Sequence, residues 1–257
     1  MKARYTLLLF LYALLAQGQI TVGNGLTHQI TTPPGGTIRV PITLHNHSDQ
    51  VRYVQLYWSD YSVQCDSGYK YTPPGTSPQS CTPWMSIPQT AIALQPHDHT
   101  TLYVNIAVPA NLSLPSAHGC LFVHNRQSTK PLPEHQKELG IEVRYAIRFL
   151  YNNPNISHNI VLQPQNLAWD PTASQATLQL YNAGLMHRNF TAKIQLLDHN
   201  GKPLYVHTAK PKNIQPGQCR TLRFTDLPKT ANPAHLIITA QTPEGERFGF
   251  TKTLTAP

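Results

Sequence analysis

The sequence predicts an all-β protein made of two immunoglobulin-like β-sandwich domains in tandem. Charged residues are only 12% of the chain, and 23 of the 257 residues are Pro. Long exposed helices need charged outer faces and tolerate Pro badly, so this composition disfavours helical bundles and coiled coils. The 40% hydrophobic and 9% aromatic content supplies enough apolar surface for cores and disfavours a disordered chain. What remains is a β-rich chain with turns marked by Pro.

The first half contains short segments with a period of two, bounded by turn residues, as β-strands do. Residues 37–44 place Ile38, Val40, Ile42 and Leu44 on one face. The longest alternation begins at Leu139 and runs through Ile141, Val143, Tyr145 and Ile147. The remaining strands are predicted at 53–58, 101–108 and 120–124.

The second half repeats this style, with about seven predicted strands. Asn200-Gly201 is the strongest hairpin signal, because both residues tolerate the positive φ of a tight turn. Strands are predicted at 176–181, 191–197, 204–207, 219–224, 236–240 and 247–253. Together with the first half, this spacing is typical of two immunoglobulin-like sandwiches.

Breaks in the pattern divide the chain into three parts. Residues 1–18 have the Lys and Arg, the Leu-rich run and the small residues near a cleavage point that define a secretory signal peptide. Asn152-Asn153-Pro154-Asn155 interrupts the alternation. We therefore expect domains at 19–152 and 153–257, and a mature protein that is exported to the periplasm without stable membrane insertion.

Four cysteines fit an oxidising compartment. Cys65 and Cys81 flank a segment rich in Gly, Pro, Ser and Thr, which has little apolar material to hold it folded. A disulfide between them would stabilise that loop by about 3 kcal/mol, and this is the pairing we predict. Cys120 and Cys219 are either two buried thiols or a second bridge, and the sequence leaves both possibilities open.

Several function classes lack support in the sequence. The chain has a formal charge of +8 but no run of basic residues, so nucleic acid is not expected as a partner. No signature of a nucleophile elbow, zinc protease or phosphate-binding loop occurs, so no enzyme activity, catalytic residue or cofactor is expected. The pairs His45/His47 and His97/His99 lack an evident third ligand, and no metal site is predicted.

The segment Leu139–Tyr151, LGIEVRYAIRFLY, resembles the last strand of the first domain in PapD-like periplasmic pilus chaperones. Alternating large apolar residues lead to Ile147-Arg148-Phe149-Leu150-Tyr151 and then to the second domain. The order of the earlier strands is also similar, including the Pro-containing stretch at 86–96. The resemblance covers the first domain in outline and the second as architecture.

This resemblance implies a non-enzymatic chaperone that binds β-rich secreted or pilus subunits by donor-strand complementation, with an outer-membrane usher as a further partner. It assigns subunit binding to Leu139, Ile141 and Val143, and recognition of a subunit's C-terminal carboxylate to Arg148. The chain departs from the family on the first strand, where residues 21–34 contain no Arg or Lys and only His28 lies near the expected place. The alternative prediction is a structural or adhesive cell-envelope protein that uses the same domains for binding.

Overall fold

The computed structural model describes residues 20–66, 68–126, 142–156, 161–210, 212–228, 233–243 and 245–254. This part of the chain forms eighteen β-strands and one short 3-10 helix, Thr82–Trp84, and contains no α-helix. It divides into two compact units, and the predicted fold class of two β-sandwiches is confirmed.

The first unit comprises the described residues up to Asp60 together with Pro73–Leu112 and His118–Leu150; the second takes Tyr61–Thr72, Ser113–Ala117 and the residues from Tyr151 onward. Two short segments that precede residue 152 therefore belong with the second unit. The division at 152/153 stays a prediction for the limits of independently folding domains.

Ten strands occur before residue 153, and three of them extend across the division between units. They are β1 (Ile20–Val22), β2 (Thr27–Ile30), β3 (Thr37–Asn46), β4 (Arg52–Gln64), β5 (Gly68–Thr72), β6 (Met85–Ser86), β7 (Ala91–Leu94), β8 (His99–Ala107), β9 (Ser116–Arg126) and β10 (Arg144–Asn152). One sheet has the order β1-β3-β8-β6 and the other β2-β10-β9-β4-β5, with β7 also pairing with β4. This is the two-sheet arrangement of an immunoglobulin-like sandwich.

Cross-strand pairs of apolar residues form the core of the first unit. On β3 and β8, Val40 lies opposite Val104 and Ile42 opposite Leu102, and all four side chains are buried. Ile38, which the alternation placed with them, is 37% exposed because it lies near the end of the sheet. The other sheet supplies pairs such as Leu56 with Val123. Residues opposite each other on one face stabilise the sheet through such contacts.

The second unit is built from the eight remaining strands. They are β11 (Leu162–Asp170), β12 (Gln175–Asn182), β13 (Arg188–Leu197), β14 (Pro203–Thr208), β15 (Lys212–Ile214), β16 (Cys219–Phe224), β17 (His235–Gln241) and β18 (Arg247–Thr253). Their sheets have the orders β11-β12-β16 and β14-β13-β17-β18, and β15 pairs with β13.

The predicted Asn-Gly hairpin is confirmed between β13 and β14. Gly201 has a φ of 77°. The Asp198 amide donates to the Lys202 carbonyl at 3.0 Å, which closes the turn. The core of this unit packs pairs such as Ile194 with Ile238 and Leu196 with Leu236 between the two sheets.

The predicted disulfide between Cys65 and Cys81 is wrong. Cys65 is bonded to Cys219, across a Cα–Cα distance of 4.8 Å and a sequence separation of 154 residues. The Thr221 amide also donates to the Cys65 carbonyl at 3.2 Å, so the segment around Cys65 lies along the edge of β16. Cys81 and Cys120 are both buried and free.

The loop that precedes Cys81 is held by a buried carboxylate instead of by a disulfide. Asp60 is fully buried and accepts hydrogen bonds from the Ser77 amide (2.8 Å), the Ser80 hydroxyl (2.6 Å) and the Thr82 hydroxyl (3.2 Å). Bonds to an ionised acceptor are stronger than neutral ones, so three of them organise a loop that has few apolar contacts. This network gives the physical reason why the loop needs no local bridge.

Candidate functional site

Two of the four residues predicted to bind a subunit are described by the structure. Leu139 and Ile141 lie outside the described residues. Val143 immediately precedes β10, and Arg148 lies within that strand. The described part of the candidate site therefore consists of β10 and the elements beside it.

The apolar face of β10 passes from the core to solvent toward the beginning of the strand. Phe149 and Ile147 are fully buried, Tyr145 is half-buried, and Val143 is 41% exposed. Residues two apart share a face of a strand, so these four side chains point the same way. The face that is buried in the core at Ile147 is therefore exposed to solvent at Val143.

Strand β2 is the neighbour of β10 on the side away from β9. Three contacts join the two segments, and residue numbers increase on both sides from one contact to the next. The Tyr145 hydroxyl donates to the Ile20 carbonyl (2.6 Å), and the Arg148 amide donates to the Leu26 carbonyl (3.0 Å). The His28 ring stacks on the Phe149 ring, with their centroids 5.5 Å apart. Leu26 directly precedes β2, so the backbone hydrogen bond from Arg148 lies at the start of that strand.

Polar contacts on the opposite face hold the start of β10 in place. Glu142 accepts hydrogen bonds from Arg144 (3.2 Å) and His124 (3.1 Å). The bond from Arg144, followed by the one from His124, lowers the pKa of the Glu142 carboxyl. Sequence reasoning missed this cluster because His124 lies on β9, with no local pattern that links it to Glu142.

Arg148 lies on that same polar face and is half-buried. Its guanidinium donates to the Thr27 hydroxyl at 2.8 Å. Its charge also reaches the buried Cys120 thiol on β9. Burial raises the pKa of Cys120 to about 12, and the nearby guanidinium lowers that pKa by a smaller amount. A fixed cation therefore stands on β10, on the face opposite to Val143.

His28 does not join Arg148. Its ring stacks on Phe149 at 5.5 Å, on the core face of the sheet. Burial lowers the pKa of His28, and its Nε2 atom is buried with no hydrogen-bond partner among the described residues. A neutral, core-facing imidazole cannot serve as a second cation beside Arg148.

Three other histidines form a stack on the outer face of the first unit. The His45 ring lies 5.9 Å from His47 and 5.6 Å from His99, with both neighbours nearly parallel to it. The structure thus adds His99 to the pair His45/His47, whereas His97 contacts Asp49 at 2.7 Å. In the part of the chain that the structure describes, however, no group of three His, Cys, Asp or Glu side chains could hold a metal ion.

No helix in the described ranges is long and apolar enough to cross a bilayer.

Comparisons with known proteins place fimbrial chaperones among the solved structures to which this chain is similar. No protein-family model matches the chain, and no curated protein matches it. The YadV chaperone has a TM-score of 0.48 and 15% identity, over 92% of this chain and 100% of that chain. A CsuC–CsuE chaperone–tip adhesion subunit pre-assembly complex from Acinetobacter baumannii has a TM-score of 0.48 and 14% identity, over 91% and 98%. The Salmonella enterica SafA pilin in complex with the SafB chaperone has a TM-score of 0.46 and 12% identity, over 93% and 97%. Likeness at these scores and identities carries no argument about function or partners.

Proposed function

We infer that this chain is an exported, non-enzymatic chaperone that binds β-rich secreted chains, such as pilus subunits, by lending them the beginning of β10. One observation carries this proposal. The apolar face of β10, which is buried at Ile147 and Phe149, becomes exposed at Val143, immediately before the strand.

An incomplete immunoglobulin-like subunit supplies the chemistry that fits such a strand. Without its last strand, the subunit exposes an apolar groove and a row of unpaired backbone groups. An added strand makes the missing hydrogen bonds, and its alternate side chains fill the groove. Leu139, Ile141 and Val143 have the required spacing of two, and burial of each would contribute roughly 1.5–3 kcal/mol.

Arg148 supports the proposal through its position. It follows Val143 along the same strand on the opposite face, where a bound chain end can reach it without displacing the apolar contacts. A guanidinium offers five N–H donors in a planar fork that matches a carboxylate. In the proposed complex, Arg148 binds the subunit's C-terminal carboxylate and so sets the register of strand addition, without a second cation from β2.

The compartment belongs to the same proposal. The signal peptide predicted at residues 1–18 exports the chain to the periplasm, where the Cys65–Cys219 disulfide forms. Delivery of the bound subunit to an outer-membrane usher is the further step that the resemblance implies.

The proposal is tested by co-expression with a secreted β-rich subunit that lacks its own last strand, encoded in the same genome. Val143→Asp should abolish the purified complex while the free protein keeps its circular dichroism spectrum and Tm, because Val143 is exposed. Val51→Asp is the matched control, since Val51 is also an exposed valine of the first unit, at 38%. Equal complex formation by the two variants would rule out strand donation.

The role of Arg148 is tested with the same complex. Arg148→Ala should weaken subunit binding by about 10-fold or more, because a charge-assisted hydrogen bond contributes about 1.5–3 kcal/mol. Against a subunit whose C-terminal carboxylate is amidated, the same substitution should have no further effect. A loss of equal size against both subunits would mean that Arg148 only supports the strand. If the chain is instead an adhesive cell-envelope protein, substitutions in β10 should leave the binding of its partner unchanged.

A further inference from the structure

The solvent face of the sheet β14-β13-β17-β18 forms a groove of about 750 Å³ in the second unit. The groove is lined by side chains that alternate outward along these strands, among them Lys193, Gln195, Thr239, Gln241 and Arg247. Nothing in the proposed use of β10 involves this surface.

The strand register places the lining residues in rows across the sheet. One row runs from Thr208 through Lys193 and Thr239 to Gly249, so it crosses all four strands. Gly249 leaves this row open, since a Cβ atom there would meet nothing within 4 Å. The next row on the same face contains Gln241 opposite Arg247. Gly249 therefore adds no side chain to this face of the sheet, and the two cations lie on β13 and β18, with β17 between them.

The charged side chains in the described lining of the groove are of one sign. Its described lining contains Lys193 and Arg247 but no Asp or Glu. Within the described part of the chain, neither of these two side chains forms a hydrogen bond or an ion pair. Two cations without partners in a concave, polar site favour an anionic ligand.

The distance between Lys193 and Arg247 indicates which kind of anionic ligand fits the groove. Lys193 and Arg247 are two strand spacings and two residues apart, which corresponds to a Cα–Cα distance of about 12 Å. Residues i and i+4 of an extended peptide lie on one face and are about 13 Å apart. Thr and Gln side chains between the cations offer hydrogen bonds to a peptide backbone. The described lining has no aromatic side chain, on which a base would stack.

We propose that this groove is a second binding site, which takes an extended acidic segment of a partner protein with carboxylates at positions i and i+4. Lys193 and Arg247 bind the two carboxylates, and the Thr and Gln side chains bind the backbone between them. Gly249, opposite Thr239 on the same face, leaves room for the segment to approach the sheet.

The test uses the full mature chain labelled with nitrogen-15 and a Thr-rich peptide with Glu at positions i and i+4. Backbone amide shifts should map to β13, β17 and β18. A peptide with Gln at both positions should bind about tenfold more weakly, which corresponds to about 1.4 kcal/mol. A peptide with its two Glu residues adjacent, on opposite faces, should lose affinity to a similar degree.

Variants of the protein locate the site. Lys193→Gln with Arg247→Gln should remove the preference for the acidic peptide, and Gly249→Tyr should fill the open space opposite Thr239 and block binding without lowering Tm. Lys202→Gln with Lys210→Gln is the matched control, because these exposed lysines lie outside the groove. Val143→Asp should bind the peptide like the wild type, so this result is independent of strand donation by β10.

Two results would overturn the proposal. One is equal affinity for the Glu and Gln peptides, or shifts that map away from these strands. The other is displacement of the acidic peptide by inorganic phosphate with the same shifts, which would make the groove a general anion site.

Discussion

Removal of the Cys65–Cys219 disulfide, by Cys65→Ser together with Cys219→Ser, should lower the free energy of unfolding of the second unit by about 5 kcal/mol. A disulfide stabilises mainly by limiting the entropy of the unfolded chain, and the effect grows with the length of the closed loop. For the observed separation of 154 residues, the loop-entropy model gives about 5 kcal/mol. The much shorter loop between Cys65 and Cys81 would give about 3 kcal/mol. The size of the loss therefore helps to distinguish the two pairings.

Urea unfolding followed by Trp fluorescence measures this loss. Trp169 packs against the core of the second unit, so its fluorescence reports the unfolding of that unit. The protein with the disulfide and the protein without it both carry Trp58→Phe and Trp84→Phe, so that Trp169 is the only Trp left. Cys120→Ala serves as the control, because it removes a buried thiol of the first unit and should leave the Trp169 transition unchanged. A loss below about 2 kcal/mol would contradict the calculation. A non-reducing peptide map that links Cys65 to Cys81 would contradict the pairing itself.

Two further predictions concern titrating groups. Burial lowers the pKa of His28, so below the ordinary value of 6.5 the unfolded chain binds a proton that the native state does not. Stability should therefore fall as the pH drops below 6.5, and His28→Gln should flatten the dependence of the urea midpoint on pH; identical slopes would contradict this reasoning. Burial raises the pKa of Cys81 well above its ordinary value and that of Cys120 to about 12. Iodoacetamide at about pH 8 should thus modify neither thiol until urea unfolds the chain, and rapid labelling of the native protein would show that they are accessible.

Alternation in the sequence predicted the strands that have one buried face. Segments such as Ala176–Tyr181 and Leu236–Ala240 alternate strictly, because one side packs on the core and the other meets water. β11 has no such pattern. It is an edge strand with mostly exposed residues, and its register shifts between Pro164 and Asn166. Pro is tolerated at edges and bulges, where a missing amide donor costs little.

The contacts that organise the site could not be read from sequence spacing. The bond between Cys65 and Cys219 depends on the path of the chain in space, whereas loop composition pointed to a nearby partner. Arg148 was singled out by its local context, but its contact with Thr27 depends on where β2 lies in space. Side chains alternate between the two faces of β2, and His28 lies on the face that meets Phe149. It therefore cannot join Arg148 in binding a carboxylate.

The central claim is that the beginning of β10 pairs with the backbone of a bound subunit. Amide hydrogen exchange measured on the free chain and on its complex with a β-rich subunit tests this claim most directly. We predict that exchange slows across residues 139–147 in the complex, because their amides become hydrogen-bonded to the added chain, while exchange in β14 stays unchanged. A complex that forms with exchange at 139–147 unaltered would contradict strand donation.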